Sequence, residues 1–295
     1  MELCVICPPK LVHWSDCCSG RFCIASIAAT NQTYRNWFLT ASQSGYRVIL
    51  DNGIFEGKPL NNMQLWEMVG QVGASVVVAP DIINGDVNQN WTKGQKFLDD
   101  RPNDLDHVQV MYVPQIADSS LNQRSVAWEQ IRSIAGAIKS WPGYADASRF
   151  TWLGICRDFV HKLYKHVSYT ADQEINRLHF AQDLEHRVNI IEMLKRKINI
   201  HLLGIGNHVH LLEHMWFVTS ADTASFCWRG LARKGLTEGS FPADGARRPT
   251  DYFYRDWKLY NDEVFHRYVK LNCDAAQVWA NHASEKRTQV MEEQL

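Results

Sequence analysis

The stretch RVILDNGIFEG at residues 47–57 is followed by SVVVAPDIING at 75–85 and QVMYVPQI at 109–116. Each begins as a short apolar run rich in β-branched residues and then meets a polar side chain, Asp51, Asp81 or Gln115. Runs that are apolar throughout, without alternation, mark strands buried on both faces of a parallel sheet. The strands read here are Arg47–Leu50, Ser75–Ala79 and Gln109–Pro114, and the same signature recurs on either side of them. It appears at Leu3–Cys7, Phe22–Ile27, Thr151–Ile155, Ile200–Ile205 and Trp216–Thr219. Amphipathic stretches of helical length separate many of these runs: Tyr34–Ser44, Asn62–Val72, Leu121–Ser140, Ala171–Lys197 and the shorter Ala224–Lys234. Strands that alternate with helices predict an α/β fold, and eight of them favour a closed (β/α)8 TIM-type barrel over an open doubly wound sheet. No G-x-G-x-x-G follows the first strand, which argues against a dinucleotide fold.

Beyond Gly235 the texture changes. LTEGSFPADGARRPTDYFYRDW reads as a long ordered loop, and Lys258–Glu293 as a charged, Ala-rich helix. The helix is expected on the outside of the barrel or at a subunit contact, so a homodimer stays open. The domain reading is a barrel over 1–250 with a C-terminal loop and helix over 251–295.

The 295 residues are 45% hydrophobic and 21% charged, enough for one large α/β domain. No run reaches the ~18 to 20 apolar residues of a membrane span, and MELCVICPPKLVHW has neither the basic start nor the cleavage site of a signal peptide. The expectation is a cytoplasmic protein (in a host cytoplasm if phage-encoded) with no membrane partner. A net charge of −1 gives no global attraction for nucleic acid. A local basic cluster does exist, with Arg229, Arg233, Lys234, Arg247, Arg248, Arg255 and Lys258 close together in sequence. Its plain alternative is a solvated basic surface. The eight cysteines read as reduced thiols. Cys4-x-x-Cys7 has zinc-like spacing but lacks a second pair, and it falls in an apolar run, so buried thiols are expected. His208, His210 and His214 read as a surface or phosphate-facing cluster, and no metal is expected.

Active sites of such barrels lie at the C-terminal ends of the strands. The polar or small residues there are Asp51, Asp81, Gln115, Gly154, Gly204 with Gly206, and Asp222. Any one of these acids, alone, is most simply a helix cap or a turn residue. Three acids and an amide at one rim suit glycosidic exchange better. One carboxylate would attack C1′ of a nucleoside, and another would protonate the leaving base and deprotonate its replacement. An Asp and a Gln can read the Watson–Crick edge of a guanine-like base, and glycines let backbone approach a flat heterocycle.

In that order, VILDNGIFEG, VVAPDI, YVPQI, WLGIC, IHLLGIGN and SADTASFCW resemble the tRNA-guanine transglycosylase superfamily, over roughly Phe22 to Tyr254. The likeness is greatest to the shorter, phage-type branch that puts 7-deazaguanines into DNA, a modification that evades restriction. The resemblance implies Asp222 as nucleophile, Asp51 as general acid/base, and Asp81 and Gln115 as readers of the base. It also implies backbone contact from Gly154 and a pocket floor formed by Asn52, Gly53 and Phe55 within 52–55. No cofactor is implied; a 7-deazaguanine is the co-substrate. The zinc site C-x-C-x-x-C…H of the tRNA enzymes is absent, since only Cys273 lies beyond Cys227. The missing zinc subdomain favours DNA. ARRPTDYFYRDW resembles a segment of the DNA-directed branch, with arginines to bind phosphate and Tyr252, Phe253, Tyr254 and Trp257 to stack on bases. The target guanine is expected to be single-stranded or flipped out. The 7-cyano base is the choice among deazaguanines, because no amine-binding acid is evident near Gln115. The alternatives are the same exchange on tRNA, a non-catalytic nucleic-acid-binding barrel, and a metal-dependent barrel hydrolase using the histidines.

Overall fold

The computed structural model describes residues 1–165, 173–205, 209–231, 252–253 and 263–294. Eight strands form one parallel sheet: β1 (Glu2–Val5), β2 (Arg21–Ile24), β3 (Val48–Asp51), β4 (Val76–Val78), β5 (Gln109–Tyr112), β6 (Trp152–Cys156), β7 (Asn199–Leu203) and β8 (Ser220–Thr223). Consecutive strands pair from β2 to β8, and β8 pairs back onto β1. The remaining seam, between β1 and β2, is joined by a single bridge from Cys4 to Gly20 with Gly20 N–H donating to Leu3 O at 2.8 Å. The result is a (β/α)8 barrel closed at one narrow seam. Gly20 makes that seam possible, because a β-carbon there would lie 2.5 Å from Cys4 Sγ and 3.2 Å from Leu3 O.

Register settles which side chains face the lumen, since partners across a parallel ladder share a face. Phe22 pairs with Ile49, and His201 with Gly154 and Ser220. The rings of Phe22 and His201 stack at 5.3 Å and 8° although β1 and β8 separate their strands. Both therefore point into the barrel. By the same register Asp51, Cys156, Leu203 and Asp222 point inward at or near the strands' C-terminal ends. Leu50, Val77, Val110, Leu153 and Leu202 face outward and are buried by the helices. Each contributes about 1.5–3 kcal/mol of apolar burial.

The helices are α1 (Ala25–Thr30), α2 (Gln32–Gln43), α3 (Asn62–Val72), α4 (Val87–Asp99), α5 (Leu121–Ile134), α6 (Tyr144–Ala147), α7 (Arg157–Tyr164), α8 (Gln173–Arg187), α9 (Ile190–Lys195), α10 (Ser225–Leu231) and α11 (Glu263–Glu293). A 3-10 segment, Pro9–Cys17, stands in the β1–β2 connection, and Val209–His214 forms another before β8. In α11 the stripe Val269, Cys273, Ala276, Ala280 and Ala283 is buried against the barrel. Its alanines allow close approach near the β8–β1 pair, where Arg287 donates to Thr219 Oγ1 at 3.5 Å and the N-terminal amine meets Ser284 Oγ. Among the described residues no helix is long and apolar enough to cross a membrane.

Several boundaries differ from the sequence reading. The expected strand Trp216–Thr219 is instead a buried approach to β8, which occupies Ser220–Thr223. The expected helix 171–197 breaks into α8 and α9, because Asn189 caps the second with its side chain on Glu192 N–H at 3.1 Å. The strand expected over Phe22–Ile27 stops at Ile24, where α1 begins. Helix α4 was not expected. Asp86 caps it through Asn88 and Gln89 N–H, and Gly94 lets it pack closely on Tyr112, whose ring lies 3.3 Å from where a β-carbon would be.

The seam can be tested by overpacking it. Gly20→Ala should cost about 1–3 kcal/mol in urea melts, and adding Cys4→Ala should recover part of that cost. Simple additivity of the two losses would place the strain elsewhere.

Candidate active site

Asp222 is 2% exposed and belongs to β8 itself, whereas the sequence reading had it follow the strand. Its Oδ1 accepts from Gly204 N–H at 3.1 Å and lies 2.9 Å from His201 Nε2. His201 is fully buried, and its Nδ1 lies 2.7 Å from Ser220 Oγ. A polar column, Ser220–His201–Asp222, thus rises inside the barrel beside the seam strand β1. Asp222 Oδ2 accepts no hydrogen bond from the described residues. Hydrogen bonds to a charged acceptor contribute about 1.5–3 kcal/mol each, so the held oxygen is well anchored. Cys4, register partner of Asp222, has its thiol pushed well up, first by burial and then by that carboxylate.

A second network joins the ends of β3 to β6. Asp81, 5% exposed, accepts from Asn52 Nδ2 at 2.9 Å through Oδ1 and from Gln115 Nε2 at 2.7 Å through Oδ2. Asn52 Nδ2 also donates to Ala79 O, and its Oδ1 accepts from Ile54 N–H, both at 2.9 Å. Gln115 Nε2 reaches Cys156 Sγ at 3.6 Å. Burial raises the Asp81 carboxyl, opposed by these two amides and by Lys93, whose Nζ donates to Asp81 O at 2.8 Å. Asn52 is therefore spent on scaffolding Asp81. An acid does lie against Gln115, so the argument that favoured the 7-cyano base no longer holds.

Asp51 ends β3 with partial access to solvent. Gly53, in the left-handed region at φ 74°, turns the chain and donates its N–H to Asp51 Oδ2 at 3.0 Å. Desolvation pushes the Asp51 carboxyl well above the usual range, and Glu56, Asp81 and Asp222 add to the rise. Glu56 exerts the largest of these charges. It was passed over in sequence, although it stands in the same VILDNGIFEG segment. His201 was passed over too. Its signal was an imidazole within the apolar run Ile200–Leu203.

Other expectations fare differently. Gly154 lies inside β6, and the space above it is filled: a β-carbon would meet Met111 Sδ at 2.8 Å and Val113 Cγ2 at 2.9 Å. It makes room for neighbours and offers no bare backbone to a ligand on that side. Phe55, expected in the pocket floor, is 63% exposed. Tyr252 is fully buried with its hydroxyl donating to Ile6 O at 3.2 Å, and Phe253 packs beside it at 5.0 Å. Neither ring is available to stack on a base. Arg229 is 9% exposed in α10. Arg233, Lys234, Arg247, Arg248, Arg255, Lys258, Tyr254, Trp257, Gly206 and His208 lie outside the described residues. Cys4 and Cys7 are buried. Among the described residues no three His, Cys, Asp or Glu side chains are grouped to hold a metal ion. A groove lined by Arg124, Trp128, Arg132 and His186 lies between α5 and α8, away from this mouth.

Neither family models nor curated proteins gave any match to the chain.

Chemically, the mouth holds one carboxylate anchored through a single oxygen and another that resists ionisation. The second has a measurable cost. Because its folded value is raised, the penalty is absent below the ordinary aspartate value near ~4 and grows as pH rises toward the folded value. Asp51→Asn should therefore raise Tm at pH ~7 by roughly 2–4 °C, and the gain should vanish near pH ~4. A gain of equal size at both pH values would show that ionisation of Asp51 is not its source.

Proposed function

We propose that this chain is a base-exchange glycosyltransferase that replaces guanine in DNA with a 7-deazaguanine through a covalent glycosyl-Asp222 intermediate. The observation that carries the reading is the unequal pair of carboxylates. Asp222 is held by Oδ1 with no partner on Oδ2 among the described residues, within range of the charge of Asp51, whose carboxyl is pushed by burial well above the usual range. In the first half-reaction Oδ2 bonds to C1′ as the C1′–N9 bond breaks. The electron pair leaves with guanine, which takes a proton from Asp51. In the second half the incoming base loses its N9 proton to Asp51, N9 bonds to C1′, and the C1′–Oδ2 bond breaks. No redox equivalent or cofactor is consumed.

Asp81 and Gln115 give the mouth a polar wall at the right end of the strands, with Gln115 Oε1 left to accept from a base edge. Support for a nucleic-acid polymer over a free nucleoside comes from the basic segment 229–258 in the sequence and from the resemblance. A base stacked inside a duplex cannot enter a barrel mouth, so the target guanine is single-stranded or flipped.

The test is incubation of the protein with DNA and either 7-cyano- or 7-aminomethyl-7-deazaguanine, followed by digestion and mass spectrometry of nucleosides. A deazaguanine deoxynucleoside is expected, faster on single-stranded than on fully paired DNA, and reduced by at least about 10³-fold in Asp222→Ala. Product confined to tRNA would move the same chemistry to RNA. Undiminished product from Asp222→Ala would remove Asp222 as nucleophile.

A further inference from the structure

We propose that His201 is the positioning residue of this site: its Nε2–H holds Asp222 Oδ1, its orientation is fixed by Ser220, and Oδ2 is thereby selected as the attacking oxygen. The proposal rests on the base-exchange reading and assigns a role to a residue that reading leaves out.

A buried imidazole is costly unless both ring nitrogens find partners. In His201 both do, at 2.7 Å to Ser220 Oγ and 2.9 Å to Asp222 Oδ1. The ring cannot swing away, because Phe22 covers its face at 5.3 Å and 8°. Ser220 Oγ has a hydroxyl proton to give, and Nδ1 is its partner, so the ring proton is directed to Nε2 and thus to Asp222. Gly204 N–H reaches the same Oδ1 at 3.1 Å. Two donors on one oxygen fix the carboxylate plane and leave the other oxygen uncommitted among the described residues. An aliphatic side chain would fill this interior position as well for stability alone. It would leave Asp222 free to rotate, and an attacking atom about 1 Å out of place loses roughly 100-fold in rate.

The experiment combines kinetics with the protonation pattern of the ring. His201→Phe preserves the ring stack and removes both nitrogens. It should lower kcat about 100-fold while KM for the deazaguanine changes less than about 3-fold. His201→Gln, whose Nε2 has the same reach from the backbone, should recover kcat to within about 10-fold of the native protein. A rise in KM with kcat intact would overturn the proposal, as would a His201→Gln variant no faster than His201→Phe. Should His201→Phe fail to fold, comparison of His201→Gln with Ser220→Ala decides. The proposal expects Ser220→Ala to be the slower, because it frees the ring while leaving the carboxylate's donor unfixed, and the reverse order overturns it. Nitrogen-15 NMR of histidine-labelled native protein supplies a readout independent of activity. A proton on Nε2 of His201 supports the proposed hold, and an Nδ1–H form with bare Nε2 overturns it. Native protein with no exchange activity would defeat the base-exchange reading and, with it, the catalytic role, while the NMR result would still stand for or against the hydrogen bond.

Discussion

A carboxylate placed inside a closed barrel must be surrounded by donors, because an uncompensated buried charge costs several kcal/mol. Asp222 is in that position, and much of the local architecture follows from it. Its partners are His201 Nε2 and Gly204 N–H, both delivered by β7 and the turn after it. They meet Asp222 only because β7 and β8 pair with His201 opposite Ser220. That pairing in turn leaves β8 to be completed on its other edge by β1, with Cys4 opposite Asp222. Closure at Gly20 then seals the lumen, and α11 covers the outside of the same strands with small side chains. The polar column and the barrel seam are adjacent parts of one construction.

The sequence revealed the architecture where apolar runs were unbroken. VVV at 76–78 and the QVMY of β5 read as buried strands and are strands, and the polar residue after each was placed at the correct rim. It misled where polar residues stand in a strand. Ser-Ala-Asp-Thr does not look like a barrel strand, so the neighbouring Trp216–Thr219 was taken for β8. The inward face of β8 is polar because it answers His201, which only the register shows. Helix α4 was hidden for another reason. Its face toward the barrel carries Asn90 and Gly94, whose fit depends on Tyr112 of β5 and on Val113 just after it. The aromatic segment failed in the opposite sense. Tyr252 and Phe253 looked like a stacking platform, yet their apolar rings are spent on packing.

The two carboxylates owe their different character to position. Asp222 sits deep, with Gly204 N–H and His201 Nε2 against one oxygen. Asp51 sits higher, where among the described residues it has one backbone donor and acidic neighbours in Glu56, Asp81 and Asp222. A pair of acids divided in this way, one anchored as an acceptor and one inclined to keep its proton, is suited to breaking and remaking a glycosidic bond without metal or redox help. The Asn52–Asp81–Gln115 network ties three successive strand ends into one wall, so the mouth is preorganised.

The most direct measurement is to trap the intermediate. The protein would be incubated with a guanine-containing single-stranded oligonucleotide in the absence of any incoming base, denatured, and digested for peptide mass spectrometry. The account predicts a denaturation-resistant protein–DNA adduct carried on the peptide containing Asp222, with free guanine released. An adduct on Asp51 or Ser220, or base exchange proceeding with no adduct at all, would contradict it.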